Sequence, residues 1–242
     1  MNREILVLSL RQLLGRRRTF ALVALALLPL LVALVFRTGN SDTDPVDWTA
    51  SALLSGLIVT TLLPLVTLVL STTSLGMEIE DGTIVYLLSK PLSRAHVMIA
   101  KLVASWLPAG ALVSLSAAFS ASIALQESEP SLVLAFVIAA SLGALAYSSV
   151  FLLLSLLTTR ALVFGLIYVF IWEGIVTGIF SGTRTLSIRE YTLGVADLLT
   201  GTSEFDAHLN GVTALALMAV VTTAFVGLAI RRLNRFETRT LF

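Results

Sequence analysis

Cysteine is absent from this sequence, and charged residues make up only 13% of its 242 residues. The absence of cysteine excludes disulfide bonds and thiolate metal sites. The shortage of charge excludes a soluble domain, since such a domain needs charged side chains to cover its surface. A formal net charge of +1 is too small to indicate a nucleic-acid partner. These absences leave a membrane protein as the class that fits.

Lysine and histidine are scarce as well. The only lysines are Lys90 and Lys101, and neither follows a glycine, so a G-x-x-x-x-G-K-[ST] phosphate loop is absent. If the protein uses ATP, another chain must bind it. No serine lies in a G-x-S-x-G motif, so the sequence gives no sign of the serine nucleophile that an intramembrane hydrolase would need. We therefore expect no catalytic residue and no bound cofactor in this chain.

Apolar sequence is abundant, with 57% hydrophobic residues. Because about 20 apolar residues cross roughly 30 Å of hydrocarbon, the pattern predicts an all-α membrane protein with six transmembrane helices in one domain, 1–242. The predicted spans are 19–36, 50–75, 97–125, 131–157, 161–180 and 211–230. Residues 1–15 carry leucines on one side and predict an interfacial amphipathic helix.

The distribution of basic residues predicts the orientation of the spans. Arg37, Arg184 and Arg189 lie on one side, which leaves thirteen of the sixteen basic residues on the side of the N-terminus. By the positive-inside rule both termini are cytoplasmic. The two histidines, His96 and His208, then fall on opposite sides of the membrane and cannot share a metal ion.

The loop at residues 78–96, between spans two and three, falls on the cytoplasmic side. Residues 83–89 predict two turns of helix with exposed apolar side chains, and Pro91 ends them. Ser93 is then placed to cap the third span. A solvated linker does not need such an apolar run, whereas a helix that docks into a partner's groove does.

The outer segment, residues 182–210, contains a second short helix. Ser187 and Glu190 have the spacing of a capping box, and apolar residues recur on one face until Gly201. We predict an amphipathic helix on the outer surface.

Glu173 is the one acidic residue inside a predicted span. An intramembrane carboxylate is costly, so it should face the bundle interior, a partner or water. Two interpretations are open. Glu173 is a pathway or gating residue, or it is a structural carboxylate that pairs with Arg184 or Arg189 or reaches the outer interface.

Small residues recur every four positions in two spans. One stripe consists of Gly174, Gly178 and Gly182; the other runs along span three through Gly110, Ser114, Ala118 and Ser122. Such stripes let helices approach closely. They indicate packing within the chain or a subunit interface.

The residues of the 78–96 loop resemble the cytoplasmic signature of ABC-2 type permeases, the membrane subunits of ABC exporters. The shared features are an acidic residue, G-T, paired leucines, Pro-x-Ser-Arg and a lysine seven residues later. The residues proposed for ATPase coupling are Glu80, Asp81, Gly82, Thr83, Leu87, Leu88, Lys90, Pro91, Arg94 and Lys101. The interfacial helix, six spans and outer segment also resemble this family, with a type V exporter-like architecture.

The resemblance implies a multi-pass protein of a prokaryotic plasma (inner) membrane, embedded in lipid. Two permease subunits, as a homodimer or a heterodimer, would pair with two ABC ATPase subunits that bind ATP and Mg²⁺. Residues 83–89 would form the coupling helix. The alternatives are a force-transmitting ABC membrane subunit that transports nothing, and a secondary transporter or membrane scaffold without an ATPase.

Overall fold

The computed structural model describes residues 17–39, 43–80, 93–126, 128–201 and 208–236. Across these ranges the regular structure is helical throughout, and six helices are long and apolar enough to cross a membrane. The predicted all-α membrane fold is therefore confirmed. The predicted interfacial helix at residues 1–15 lies outside the described residues.

We number the helices in chain order. Helix α1 is Arg17–Thr38, and α2 runs continuously through Pro45–Trp48, the π-helical Thr49–Leu62 and Leu63–Glu80. Helix α3 is Arg94–Leu125, α4 is Pro130–Leu157, and α5 runs through Ala161–Ile167, the π-helical Tyr168–Val176 and Thr177–Ile179. A 3₁₀ turn at Ser181–Leu186 leads to α6, Ile188–Thr200, and α7 is Gly211–Phe236. All but α6 are candidate membrane spans.

Local sequence signals account for several helix ends. Asp44 caps α2 by accepting a hydrogen bond from the backbone N–H of Val46 at 2.8 Å, and Pro45 fits the first turn because its missing N–H needs no partner. Ser93 caps α3 by accepting from the N–H of His96, as predicted. Gly201 ends α6 with φ of 64°, a left-handed conformation that glycine adopts without steric cost.

Helix α4 is the central element of the bundle. It packs against α2, α3, α6 and α7, and 61% of its most apolar window is buried. The corresponding fraction is 22% for both α1 and α5, and 17% for α7. In the single chain, these three helices present most of their apolar surface outwards.

The two ends of the bundle have separate apolar clusters. The loop end, where α2 stops and α3 begins, joins α2, α3, α4 and α7 through a cluster that includes Leu75, Met98, Leu152 and Leu233. The far end joins α1, α2 and α3 through Ala33, Leu53 and Ala124.

The small-residue stripe of α3 packs within the chain. A Cβ on Gly110 would lie 3.5 Å from Ser141 Oγ on α4, and Ser114 Oγ donates to the carbonyl of Val137 at 3.0 Å. Close approach to α4 therefore explains the first half of this stripe.

Helix α6 has the predicted bounds, and it packs against both α4 and α7. Its position at the outer side of the membrane stays a prediction. A Cβ on Gly143 of α4 would lie 2.5 Å from Thr192 Oγ1, and one on Gly194 would lie 2.6 Å from Cβ of Ala214 on α7. Glycine at these two positions permits the close approach. Only the C-terminal turn, with Leu198 and Leu199, has half-exposed leucines.

Candidate functional site

A buried carboxylate lies where α5 meets the start of α6. Glu173 belongs to the π-helical part of α5 and is 2% exposed. Backbone hydrogen bonds in a π-helix join residues five apart, which brings such residues onto one face. Tyr168 stands five residues before Glu173, and its hydroxyl donates to Glu173 Oε1 at 3.0 Å.

Three further donors to Glu173 come from the first residues of α6 and its cap. The Ser187 hydroxyl donates to Oε2 at 2.6 Å, the backbone N–H of Ile188 donates to Oε1 at 3.0 Å, and that of Arg189 donates to Oε2 at 3.4 Å. Ser187 also accepts from the N–H of Glu190 at 3.3 Å. Glu173 therefore satisfies backbone donors that the first turn of a helix leaves unpaired.

The carboxylate also suits the electrostatics of this helix end. The N-terminus of a helix carries partial positive charge and favours a nearby anion. Glu173 stands six residues before the end of α5, so the start of α6 lies about 9 Å inside that end. The N-terminus of α6 therefore lies beside α5 and not beyond its end.

Of the interpretations left open for Glu173, pairing with an arginine side chain is not what the described residues show. Within the described ranges, no ion pair joins Glu173 to Arg184 or Arg189. Arg184 Nε donates instead to the carbonyl of Thr177 at 3.3 Å, and Arg189 reaches Glu173 through its backbone. A pathway or gating role stays a prediction.

Two more tyrosines lie near Glu173. Tyr147 of α4 is fully buried, and its side chain lies beside Glu173. Tyr191 of α6 donates to the carbonyl of Thr185 at 2.6 Å. Burial raises the pKa of the Tyr191 phenol, and the negative charge of Glu173 adds to this effect.

Only half of the predicted capping box forms. Ser187 caps the helix, but the Glu190 carboxylate turns towards α7 and lies 3.4 Å from Nδ1 of His208. The N–H of Ser187 donates to the carbonyl of Arg184, so it does not need Glu190. The first turn of α6 is thus joined to α5 by Glu173, while Glu190 lies beside His208 in the segment before α7.

A second buried charge lies near the loop end. Lys101 of α3 is 1% exposed, and its Nζ donates to the carbonyl of Ser74 on α2 at 3.0 Å. This contact joins the two helices that flank residues 81–92. Lys101, one of the predicted coupling residues, is therefore buried between α2 and α3, and its role in coupling stays a prediction.

Most of the other predicted coupling residues fall in the loop itself. Asp81, Gly82, Thr83, Leu87, Leu88, Lys90 and Pro91 lie outside the described residues. Glu80 is the last residue of α2, and Arg94 is the first of α3 and is half-buried. The structure brings α2 and α3 together at the base of the loop, as a hairpin requires.

The glycine stripe at the end of α5 has open space beside it. Gly178 and Gly182 have no atom within 4 Å of an added Cβ, and the nearest atom to one on Gly174 is 3.7 Å away. Packing against another helix of the described chain does not explain this stripe. A subunit interface stays a prediction.

Sequence reasoning missed Tyr168, Tyr147 and the Ser74 carbonyl. Residues five apart do not lie on the same face of an α-helix, so the spacing of Tyr168 and Glu173 did not predict their contact. The contact is explained only once the π-helix is known. Tyr147 lies far from Glu173 in sequence, and a backbone carbonyl is not specified by residue type.

Comparison with known proteins identifies a family. The family model described as ABC-2 family transporter protein matches residues 14–181, more than half of the chain. This match covers α1 to α5 and includes Glu173 and Lys101. Among curated proteins, none matches the chain.

Proposed function

The chain belongs to the ABC-2 family of transporter membrane proteins, and we propose that it is the permease subunit of an ABC exporter. Members of this family are membrane subunits rather than ATPases, in agreement with the missing phosphate loop. The proposal adds two separate ATPase subunits, which bind ATP and Mg²⁺, and a second permease subunit. It also places the protein in a prokaryotic plasma membrane with both termini in the cytoplasm.

The observation that carries the proposal is the family match together with the α2–α3 hairpin. Helix α3 has 32 residues, about 48 Å of helix against roughly 30 Å of hydrocarbon. The surplus length supports a hairpin that projects from the membrane and presents residues 83–89 to an ATPase. In this proposal Leu87 and Leu88 enter a groove of the ATPase, while Glu80, Lys90 and Arg94 set the docking geometry by charge.

The base of the hairpin is suited to transmit a displacement. Lys101 joins α3 to α2, and the apolar cluster at the loop end joins both helices to α4 and α7. A push on residues 81–92 would thus reach four helices through buried contacts. Because α4 is central, its movement would change the packing of the whole bundle.

Replacement of both Leu87 and Leu88 by aspartate tests the coupling assignment. We expect loss of co-purification with a candidate ABC ATPase and loss of stimulated ATP hydrolysis, because aspartate cannot fill an apolar groove. Gln126→Asp is the control, since Gln126 is exposed at the far end with φ of 51°, a conformation that aspartate tolerates. The assignment is wrong if the double variant keeps both binding and stimulation at the level of the control.

A further inference from the structure

Helices α3 and α4 leave a groove between them on one face of the pair. Two clefts lie along it, with volumes of about 500 and 450 Å³. Their lining residues recur every three or four positions along each helix, so the two clefts lie end to end on the same face. On α4 these residues run from Pro130 through Leu134 and Ile138 to Leu142, and on α3 they run from Ser122 to Leu107. We call this the α3–α4 groove.

Exposed apolar side chains border the groove. Leu107 of α3 and Leu134 and Ile138 of α4 are all exposed in the single chain. Gly110 is buried between these borders, and a Cβ added to it would lie 3.4 Å from Nε1 of Trp106. The absence of a side chain at this position therefore helps to keep the groove deep.

Two polar side chains in the deeper cleft already have partners within the bundle. The indole Nε1 of Trp106 donates to the carbonyl of Ser141 at 2.9 Å, and the hydroxyl of Ser114 donates to the carbonyl of Val137 at 3.0 Å. Both hydrogen bonds join α3 to α4. Because these donors are in use, the deeper cleft favours an occupant without polar groups, such as an alkyl chain.

The length of the groove also suits a lipid chain. Leu142 stands twelve residues after Pro130, which corresponds to about 18 Å of helix. Each leaflet contributes about 15 Å, half of the roughly 30 Å of hydrocarbon in a bilayer. A single lipid chain that enters where α4 begins would therefore extend along most of the groove.

The mouth of the groove carries a negative charge. Glu129 lines the second cleft next to Pro130, and its side chain is exposed. The Ser131 hydroxyl lies 3.5 Å from its Oε2. Among the described residues that line the two clefts, Glu129 is the one with a charged side chain. A carboxylate at the mouth of an apolar groove complements an alkyl chain with a cationic head group.

We propose that the α3–α4 groove binds a phospholipid with an ethanolamine head group. One alkyl chain lies in the groove, and the ammonium group donates a hydrogen bond to the Glu129 carboxylate. A choline head group is cationic but has no N–H to donate. An anionic head group would be repelled by the carboxylate. This inference goes beyond the permease assignment, since it depends neither on an ATPase partner nor on a transported substrate.

Tryptophan fluorescence of the full chain in lipid nanodiscs tests this site. Trp106 lines the groove, and replacement of the other two tryptophans, Trp48 and Trp172, by phenylalanine leaves it as the single reporter. The nanodiscs consist of phosphatidylcholine with a small fraction of a lipid whose chains carry bromine, which quenches tryptophan on contact. Three parallel samples use brominated lipids with ethanolamine, choline or glycerol head groups and identical chains.

The expected quenching depends on the head group. The ethanolamine lipid should quench Trp106 about two- to fivefold more than the choline lipid, the size of effect that an exposed ion pair gives, and the glycerol lipid should quench least. Glu129→Gln should make the ethanolamine and choline lipids equal. Ala111→Phe, at an exposed position that lines the groove, should remove the excess quenching. Ala216→Phe is the matched control, because it makes the same change on the exposed face of α7.

Three results would each contradict a bound ethanolamine lipid. Equal quenching by the ethanolamine and choline lipids would indicate lipid that exchanges freely around the bundle. Weak quenching by all three lipids would indicate that a second copy of the chain covers the groove. An ethanolamine preference that persists in Glu129→Gln or in Ala111→Phe would place the lipid elsewhere. Glu129→Gln keeps the size of an exposed side chain, so it tests the site even where Ala111→Phe fails to fold. No ATPase is present, so the outcome is independent of the coupling experiment.

Discussion

Two buried charges join helices at opposite ends of this bundle, and they do so differently. Lys101 donates to a carbonyl of α2, a helix that α3 already contacts along an apolar interface. Glu173 accepts four hydrogen bonds and joins α5 to a helix that packs elsewhere. Lys101 therefore reinforces an existing contact, whereas Glu173 provides most of the polar contact at its own site.

The junctions at Lys101 and at Glu173 therefore differ in the kind of contact that holds the helices together. A pair of helices held by apolar packing and a buried ammonium moves as a unit, as a coupling hairpin should. The junction of α5 with α6 depends instead on the hydrogen bonds of one carboxylate. We therefore expect substitution of Glu173 to lower the stability more than substitution of Lys101.

The largest expected effect compares the two charges directly. Glu173→Leu should lower the free energy of unfolding by about 4 kcal/mol or more, because it leaves several buried donors without an acceptor. Lys101→Met should cost about 1 to 2 kcal/mol, since an apolar side chain of similar length can fill the site. Thermal unfolding in detergent measures both. Equal losses would contradict the comparison.

A packing variant tests whether Glu173 is the main attachment of α6. Gly143→Val should destabilise the protein by about 1 to 3 kcal/mol, because a Cβ at this position would overlap Thr192. Thermal unfolding in detergent measures this loss. A loss larger than that of Glu173→Leu would show that packing on α4 holds α6 more strongly than the carboxylate does.

The two capping serines provide a matched pair. Ser93 caps α3 at an exposed site, whereas Ser187 caps α6, is fully buried and also donates to Glu173. Loss of a helix cap costs about 1 kcal/mol. Ser93→Ala should cost about that amount, and Ser187→Ala about 2 kcal/mol because a buried acceptor also loses a donor. Unfolding midpoints in denaturant measure the difference; equal costs would argue against a role for the Ser187 bond.

The smallest expected effect on stability concerns the open side of α5. Gly178→Val should leave the thermal stability of the single chain unchanged, because nothing lies within 4 Å of the added Cβ. It should lower the dimer fraction if the glycine stripe forms a subunit interface, measured by light scattering of the purified protein. An unchanged dimer fraction would assign α5 to lipid contact.

Much of the helical framework follows from local sequence. Long apolar runs predict the six spans, because each must satisfy its own backbone hydrogen bonds in lipid. Ser93, Ser187 and Gly201 predict helix ends, since capping depends on neighbouring residues. The capping box is only half correct, because the N–H of Ser187 donates to the carbonyl of Arg184 and the Glu190 carboxylate lies near His208 instead.

The order of residues alone was enough to establish a six-span membrane protein that lacks a phosphate loop and has a costly carboxylate in its fifth span. What that carboxylate does became apparent only from the packing of the helices. Its partners are a tyrosine that the π-helix places on the same face and backbone N–H groups at the start of α6. Apolar periodicity reports the burial of a helix, but hydrogen bonds between distant segments depend on how helices meet, and local sequence does not encode that geometry.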